Sequence, residues 1–327
     1  MNNIEEVLQT GSLELIPHSF KEGEKKDDKW YENRKKSIGG SDISSLFDEN
    51  KYKSILQLFN EKTGRVEAKK VNNKFTAAGT HNEPFILSVY NYYDGDVETC
   101  YENHGEGVNQ VRDVLTYNGY IRNSKFPRLQ VELDGFFVDE DGKRVVVECK
   151  TMNERSFAYN KKQPPMKYLL QVMACMAVAE ADRAVILMLV GGADYHVFEV
   201  NRNDAVIAEI KYKVDSFWND VDMFLETGSA EYVPEVDDSK SCEDALQNLY
   251  PRSKDNFRNA TEEEEKLIKM YAIMNEDHKQ LTEDLRGIRN KLKMGIKDGS
   301  KISCEGYSAS WINHGQGRRF QVRRLND

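Results

Sequence analysis

The chain has 327 residues, of which 39% are hydrophobic and 10% aromatic, and a formal net charge of −9. This content excludes a disordered polymer, and the length allows about two domains with cores of their own. The acidic balance argues against a protein that coats nucleic acid over its whole surface.

Residues 1–30 hold one short apolar patch, Leu13-Glu14-Leu15-Ile16, and read as an appended arm. In the next stretch Arg34 precedes Ile38-Gly39-Gly40-Ser41-Asp42. The spacing predicts a helix bearing Arg34 that stops at the glycine pair, then a second helix capped by Ser41 or Asp42 and running through Phe47. Amides exposed at such a start, with a hydroxyl and an arginine nearby, suit a phosphate; a plain helix cap is the other reading. Residues 56–63 continue helically to a Gly64 cap. A further helix is expected to begin at Gly79-Thr80-His81-Asn82-Glu83-Pro84, with Pro84 in its first turn. Glu83 would then be a capping charge, or a carboxylate facing the strands that follow.

After an acidic, tyrosine-rich bend over 91–106, residues 111–121 read as a strand. Leu133-Asp134-Gly135-Phe136-Phe137 and Val147-Glu148-Cys149-Lys150 read as two strands of a hairpin joined through Asp139-Glu140-Asp141-Gly142. Residues i and i+2 of a strand share a face, so Glu148 and Lys150 project together and Cys149 points the other way. Asp134, Glu148 and Lys150 therefore converge on one patch. Convergent carboxylates are costly unless their repulsion is offset, as a hard divalent cation such as Mg²⁺ does. A lysine beside them can orient or deprotonate water, or stabilise charge on a phosphate. The bland alternative is the solvated face of an amphipathic hairpin.

Residues 166–181 form a nearly continuous apolar helix with one embedded amide, Gln171, which needs partners if buried. Residues 184–190 and 195–200 are joined by Gly191-Gly192-Ala193-Asp194 as a second hairpin, and 204–225 form an amphipathic helix ending at Gly228. Residues 31–228 thus read as one α/β unit. An acidic linker with a short helix follows over 229–260. In 261–327, Leu267, Tyr271, Met274, His278, Leu281, Leu285, Ile288 and Leu292 alternate spacings of four and three, a heptad seam over 262–297 started by Thr261. The seam needs a partner helix from this chain or another subunit, and His278 reads as a register-setting polar residue. A terminal hairpin, 301–312 with 318–325, carries Arg318, Arg319, Arg323 and Arg324 beside Trp311 and Phe320. It suits nucleic acid or an acidic protein surface, or is simply a protected sheet edge.

Charge is unevenly spread. Residues 51–74 and 143–167 each carry seven basic and two acidic residues, the pattern of a protein that grips nucleic acid in one groove, or of solvated faces. Cys100, Cys149, Cys175, Cys242 and Cys304 show no C-x-x-C spacing, which disfavours a disulfide framework, a zinc site and an iron–sulfur cluster. The polar, acidic first 24 residues do not read as a secretory leader, and no apolar run reaches the roughly 18 residues of a membrane span. A cytoplasmic protein without membrane contact is expected.

Taken in order, Arg34…Ile38-Gly39-Gly40-Ser41-Asp42, Gly79-x-x-x-Glu83-Pro84, Asp134-Gly135, Glu148-Cys149-Lys150 and Gln171 in Tyr168-Leu169-Leu170-Gln171-Val172 resemble the YqaJ-type viral recombinase nucleases. These are the lambda exonuclease group of the PD-(D/E)XK nuclease superfamily, and the resemblance covers about residues 31–228. It implies a restriction-endonuclease-like α/β core, a mixed central sheet flanked by helices, here with a C-terminal helix and hairpin added. It implies a 5′→3′ exonuclease on linear double-stranded DNA that uses two Mg²⁺ ions, with Mn²⁺ as a substitute, and leaves 3′ overhangs for phage-type recombination. Glu83, Asp134 and Glu148, with the backbone carbonyl of Cys149, would hold the metals. Lys150 and Gln171 would position the attacking water. Arg34 and Ser41 would bind the 5′-terminal phosphate, with Arg155 as a third contact. The resemblance further implies a ring-shaped homo-oligomer acting beside a single-strand annealing protein in a bacterial host cytoplasm.

Two departures bear on this. Glu132 stands where lambda exonuclease has a phosphate-contacting serine, and residues 229–327 exceed the short members of the group. The rival readings are a structure-specific or restriction-type endonuclease on the same core, and a noncatalytic DNA-end-binding scaffold for an annealing protein.

Overall fold

The computed structural model describes residues 7–8, 11–20, 27–68, 73–103, 110–255 and 257–325. Residues 1–6, 9–10 and 21–26 of the expected arm, 69–72 of the first basic run and 104–106 of the tyrosine-rich bend lie outside the described residues. Strand β1 is Leu13–Pro17, helix α1 Asp28–Lys35 and strand β2 Ile38–Gly39. A 3₁₀ helix, Gly40–Phe47, leads to α2, Ile55–Lys62; α3, Lys74–Asn91; and α4, Val97–Asn103. Strands β3 (Gly119–Asn123), β4 (Leu129–Val131), β5 (Gly135–Val138) and β6 (Arg144–Met152) precede helices α5 (Glu154–Phe157) and α6 (Met166–Ala179). Then come β7 (Arg183–Val190), β8 (Asp194–Asn201), α7 (Asp204–Thr227) and α8 (Lys240–Leu249). The C-terminal part holds α9 (Glu262–Ile296), β9 (Lys301–Cys304), β10 (Tyr307–His314) and β11 (Gly317–Arg324). The chain divides into two compact units, Met1–Arg252 and Ser253–Asp327.

The first unit is built on two four-stranded sheets, ordered β5-β6-β7-β8 and β1-β3-β4-β2. In the former, β6 and β7 run parallel while the outer pairs are antiparallel, so the sheet is mixed. A parallel pair needs a crossover, and α5 and α6 supply it. Alternation along β6 sends Val146 into one core and Val145 and Val147 into another on the opposite face. The first core adds Ile186 and Met188 of β7, most of α6 and the inner face of α7. The second packs Val185, Leu187 and Leu189 against Ile86, Leu87, Val89 and Tyr90 of α3. At roughly 1.5–3 kcal/mol for each fully buried aliphatic side chain, these two layers hold β6 rigid. Helix α8 packs through Cys242 and Ala245 onto Leu56 of α2, inside the first unit.

Four expectations of local structure need correction. Helix α3 begins at Lys74, not near Gly79, because Asn73 accepts from the Phe75 and Thr76 amides and the Thr76 hydroxyl returns a capping box. Pro84 therefore sits in the helix interior, at a cost of about 3 kcal/mol that the buried residues after it offset, and Glu83 is not at a helix start. The segment after Asp42 is 3₁₀ rather than α-helical, and Gly39 takes the cap position while Asp42 lies three residues in. Residues 111–118 are not a strand; only Leu115 bridges to Phe136 before β3 starts at Gly119. The terminal sheet has three strands, not two, because a turn at Gly306, whose φ of 73° favours glycine, splits the first run.

In the second unit, α9 starts at a capping box in which Glu264 and Thr261 bond reciprocally at 2.9 and 3.2 Å. Arg318 donates to the carbonyls of Lys297, Gly299 and Trp311 and stacks 3.9 Å from the Trp311 ring centroid. It closes the helix end onto β10, so this arginine of the expected nucleic-acid surface is structural. Among the described residues, no helix is long and apolar enough to cross a membrane.

Candidate active site

Glu148 lies on β6 with only 1% of its surface exposed. Lys150, two residues on and on the same face, donates to Oε1 of Glu148 in a short contact. From α6, Gln171 Nε2 donates to the same oxygen at 2.6 Å. The other oxygen, Oε2, is buried and accepts no hydrogen bond from the described residues. Asp134 immediately precedes β5, and the pairing of Gly135 with Val147 sets it beside β6. There its Oδ2 accepts from the Cys149 amide at 2.7 Å. The hairpin and the shared face of Glu148 and Lys150 are as the alternation predicted.

The electrostatics of this corner are unbalanced. Burial, then Glu148 and Glu83, push the Asp134 carboxyl well above the usual carboxylate range. Burial opposes the charge on Lys150, but Glu148 and Asp134 more than offset it and hold the ammonium above its ordinary range. Glu83, half-buried on α3, is close enough to act on both Asp134 and Cys149. Glu148 and Asp134 thus both act on Lys150, and Glu83 adds its charge to Asp134. Among the described residues, no three His, Cys, Asp or Glu side chains close into a set that could hold a metal ion. The Glu148 oxygen turned to Lys150 and Gln171, and the Asp134 oxygen turned to the Cys149 amide, are already engaged. What remains is an orphaned carboxylate oxygen next to excess negative charge, which is the chemistry a hard divalent cation satisfies.

A second charged cluster surrounds the 3₁₀ helix. Arg34 Nη2 donates to Asp42 Oδ2 at 2.6 Å, and Lys53 Nζ reaches Asp42 at 3.4 Å and Glu61 at 2.8 Å. Lys62 lies 3.9 Å from Asp42 and donates to the carbonyls of Arg34 and Ser37. Burial works against ionisation of Asp42, but Arg34, Lys53 and Lys62 outweigh it and hold the carboxyl far below its usual range. Burial, together with Arg34 and Lys53, brings the Lys62 ammonium down to about 7. A Cβ at Gly39 would fall 1.4 Å from Arg34 Nη1, so a side chain there would push the guanidinium off Asp42. Arg34 also lies over the Trp30 ring at 5.4 Å. Glu132 is held by Trp30 Nε1 and His18 Nε2, each at 3.2 Å.

Of the expected phosphate contacts, Arg34 is thus fixed inside an ion network, Ser41 is exposed on the first turn of the 3₁₀ helix, and Arg155 is exposed on α5 just past β6. The fold brings Asp134, Glu148, Lys150, Gln171 and Glu83 together. Gly40 ties the two clusters, since a Cβ there would touch Gln171 and Val131. Lys53, Glu61 and Lys62 were missed by sequence reasoning. Their signal was present as buried polar residues Gln57, Asn60 and Glu61 on the otherwise apolar α2.

Fold and site together define a mixed α/β protein with a buried corner formed by Asp134, Glu148 and Lys150. Residues 29–182 match the model of the YqaJ-like viral recombinase domain. The chain is 25% identical over 299 residues to the uncharacterized protein YqaJ of Bacillus subtilis (strain 168), across 89% of this chain and 85% of the relative. Among solved structures it is similar to an alkaline exonuclease, LHK-Exo, from Laribacter hongkongensis, at 18% identity and a TM-score of 0.46, covering 61% of this chain and 95% of that one. It is also similar to a phage-related exonuclease from Haemophilus somnus 129PT, at 14% identity and a TM-score of 0.33, covering 59% and 96%.

Proposed function

We propose that the protein is a Mg²⁺-dependent 5′→3′ exonuclease on linear double-stranded DNA that leaves 3′ single-stranded overhangs. The observation that carries this reading is the buried Glu148 carboxylate, gripped on one oxygen by Lys150 and Gln171 and unpartnered on the other beside Asp134. Asp134, Glu148, Glu83 and the Cys149 carbonyl would hold the cations, with Mn²⁺ as a substitute. Bound divalent metal supplies polarisation of the phosphodiester and activation of water.

The chain's own residues do the rest. Lys150, on the same face as Glu148 and donating to its Oε1, stands where it can orient water and stabilise the phosphate charge. Gln171 has a second amide proton and a carbonyl with which to align the attacking water. Arg34, braced by Asp42 and Trp30, faces the 5′ terminus with Ser41, and Arg155 extends the contact. Glu132 repels a terminal phosphate, so 5′-hydroxyl ends should be degraded as well. The same reading includes a ring-shaped homo-oligomer and a single-strand annealing partner in a bacterial cytoplasm.

The test is digestion of a linear duplex labelled differently on each strand, with and without Mg²⁺, beside a closed circle. Early release of 5′ mononucleotides with the circle intact is expected. Circle cleavage would replace the reading with an endonuclease on the same core, and no cleavage with a DNA-end-binding scaffold.

A further inference from the structure

Helix α9 carries apolar side chains that the second unit leaves uncovered. Leu267, Tyr271, Met274, Leu281, Leu285 and Ile288 are each more than half exposed, at the spacing of a two-helix seam. The two halves of the helix differ. Over 262–279 the apolar face is wide, since Ile268, Met270 and Ile273 are also more than half exposed, and six acidic residues outnumber three basic ones. Over 280–297 five basic residues outnumber two acidic ones. There Leu285, Ile288 and Leu292 form one wall of a groove whose other wall is Phe320 and Val322 of β11, with Arg289 and Lys293 also lining it.

We propose that the second unit is an antiparallel homodimerisation module. The acidic, wide-faced half of α9 from one copy lies in the basic groove between α9 and β11 of a second copy, and the reverse contact forms at the same time. A wide apolar face needs two walls, and the groove provides them. Pairing Leu267 with Leu292 of the other copy also sets Tyr271 opposite Ile288, Met274 opposite Leu285 and His278 opposite Leu281. The contact is therefore self-complementary, as a twofold interface must be. It places Glu262 over Lys297 of the other copy. A parallel pair would instead stack Glu262, Glu263, Glu264 and Glu265 on their own copies, and the basic half on itself, which like-charge repulsion disfavours.

Two measurements on the full chain test this independently of any nuclease activity. The mass from light scattering should fall twofold on Leu285→Glu and on Met274→Glu, with unchanged circular dichroism. A Leu267→Cys chain mixed with a Leu292→Cys chain, both with Cys304→Ser, should form a disulfide between unlike chains, whereas neither should link to itself. A monomeric parent chain, a mass indifferent to both glutamate variants, or self-linking of Leu267→Cys would overturn the proposal. The first two would leave the seam to a different protein, and the third would make the pair parallel.

Discussion

The Asp42 cluster and the Glu148 corner are assembled from the same kinds of buried side chain and reach opposite electrostatic states. Around Asp42, three cations meet two carboxylates, and Asp42 is held far below its ordinary range. Around Glu148, burial and the charges of Glu148 and Glu83 drive Asp134 up, Lys150 serves Glu148 and Asp134, and among the described residues one Glu148 oxygen has no partner. The first cluster is satisfied by its own chain and fixes the 3₁₀ helix and Arg34. The second is left short of positive charge, which is where a stability cost and a chemical use coincide.

Substitutions should separate the two. Under the proposed reaction, Lys150→Ala should lower cleavage by about 10²–10⁴-fold while DNA-end binding is retained. Single-turnover assays with a separate binding titration check this; unchanged turnover would remove Lys150 from the mechanism. Asp42→Asn should destabilise the first unit by about 3 kcal/mol, because it takes the carboxylate from Arg34 and Lys62, while Lys53 keeps Glu61, as read by urea unfolding. Since the folded pKa of Asp42 is depressed, its contribution is present above the ordinary carboxylate range and lost as pH falls below it. The variant should therefore show a flatter acid limb.

Asp134→Asn should act the other way. A raised folded pKa penalises the native state once pH exceeds the unfolded value, so the variant should gain about 1 kcal/mol at neutral pH in chelator. Mg²⁺ should raise the melting temperature of the parent protein more than that of the variant. Equal Mg²⁺ responses would mean that Asp134 is not part of a cation site. A further effect, spread over a range of pH, belongs to Lys62, lowered to about 7. With a depressed folded pKa, the native state gains stability as pH rises from about 7 toward the unfolded value near 10.4. Lys62→Met should flatten that part of the profile by at most about 1.4 kcal/mol per pH unit.

Sequence alone determined the hairpin that carries Glu148 and Lys150 on one face, the apolar helix with Gln171, and the long heptad helix. Each is a local periodicity or turn signal, set by residues a few positions apart. The start of α3 was legible in principle at Asn73 and Thr76, but Pro84 gave the stronger local signal and it pointed to the wrong place. Only tertiary packing could make up for an interior proline. Tertiary structure also decided that Arg34, Asp42, Lys53, Glu61 and Lys62 form one network, and that Lys150 and Gln171 grip the same carboxylate oxygen. Periodicity reports which face of an element is buried. It does not report which buried charges meet, because that depends on side chains distant in sequence sharing a low-dielectric space that only the assembled layers create.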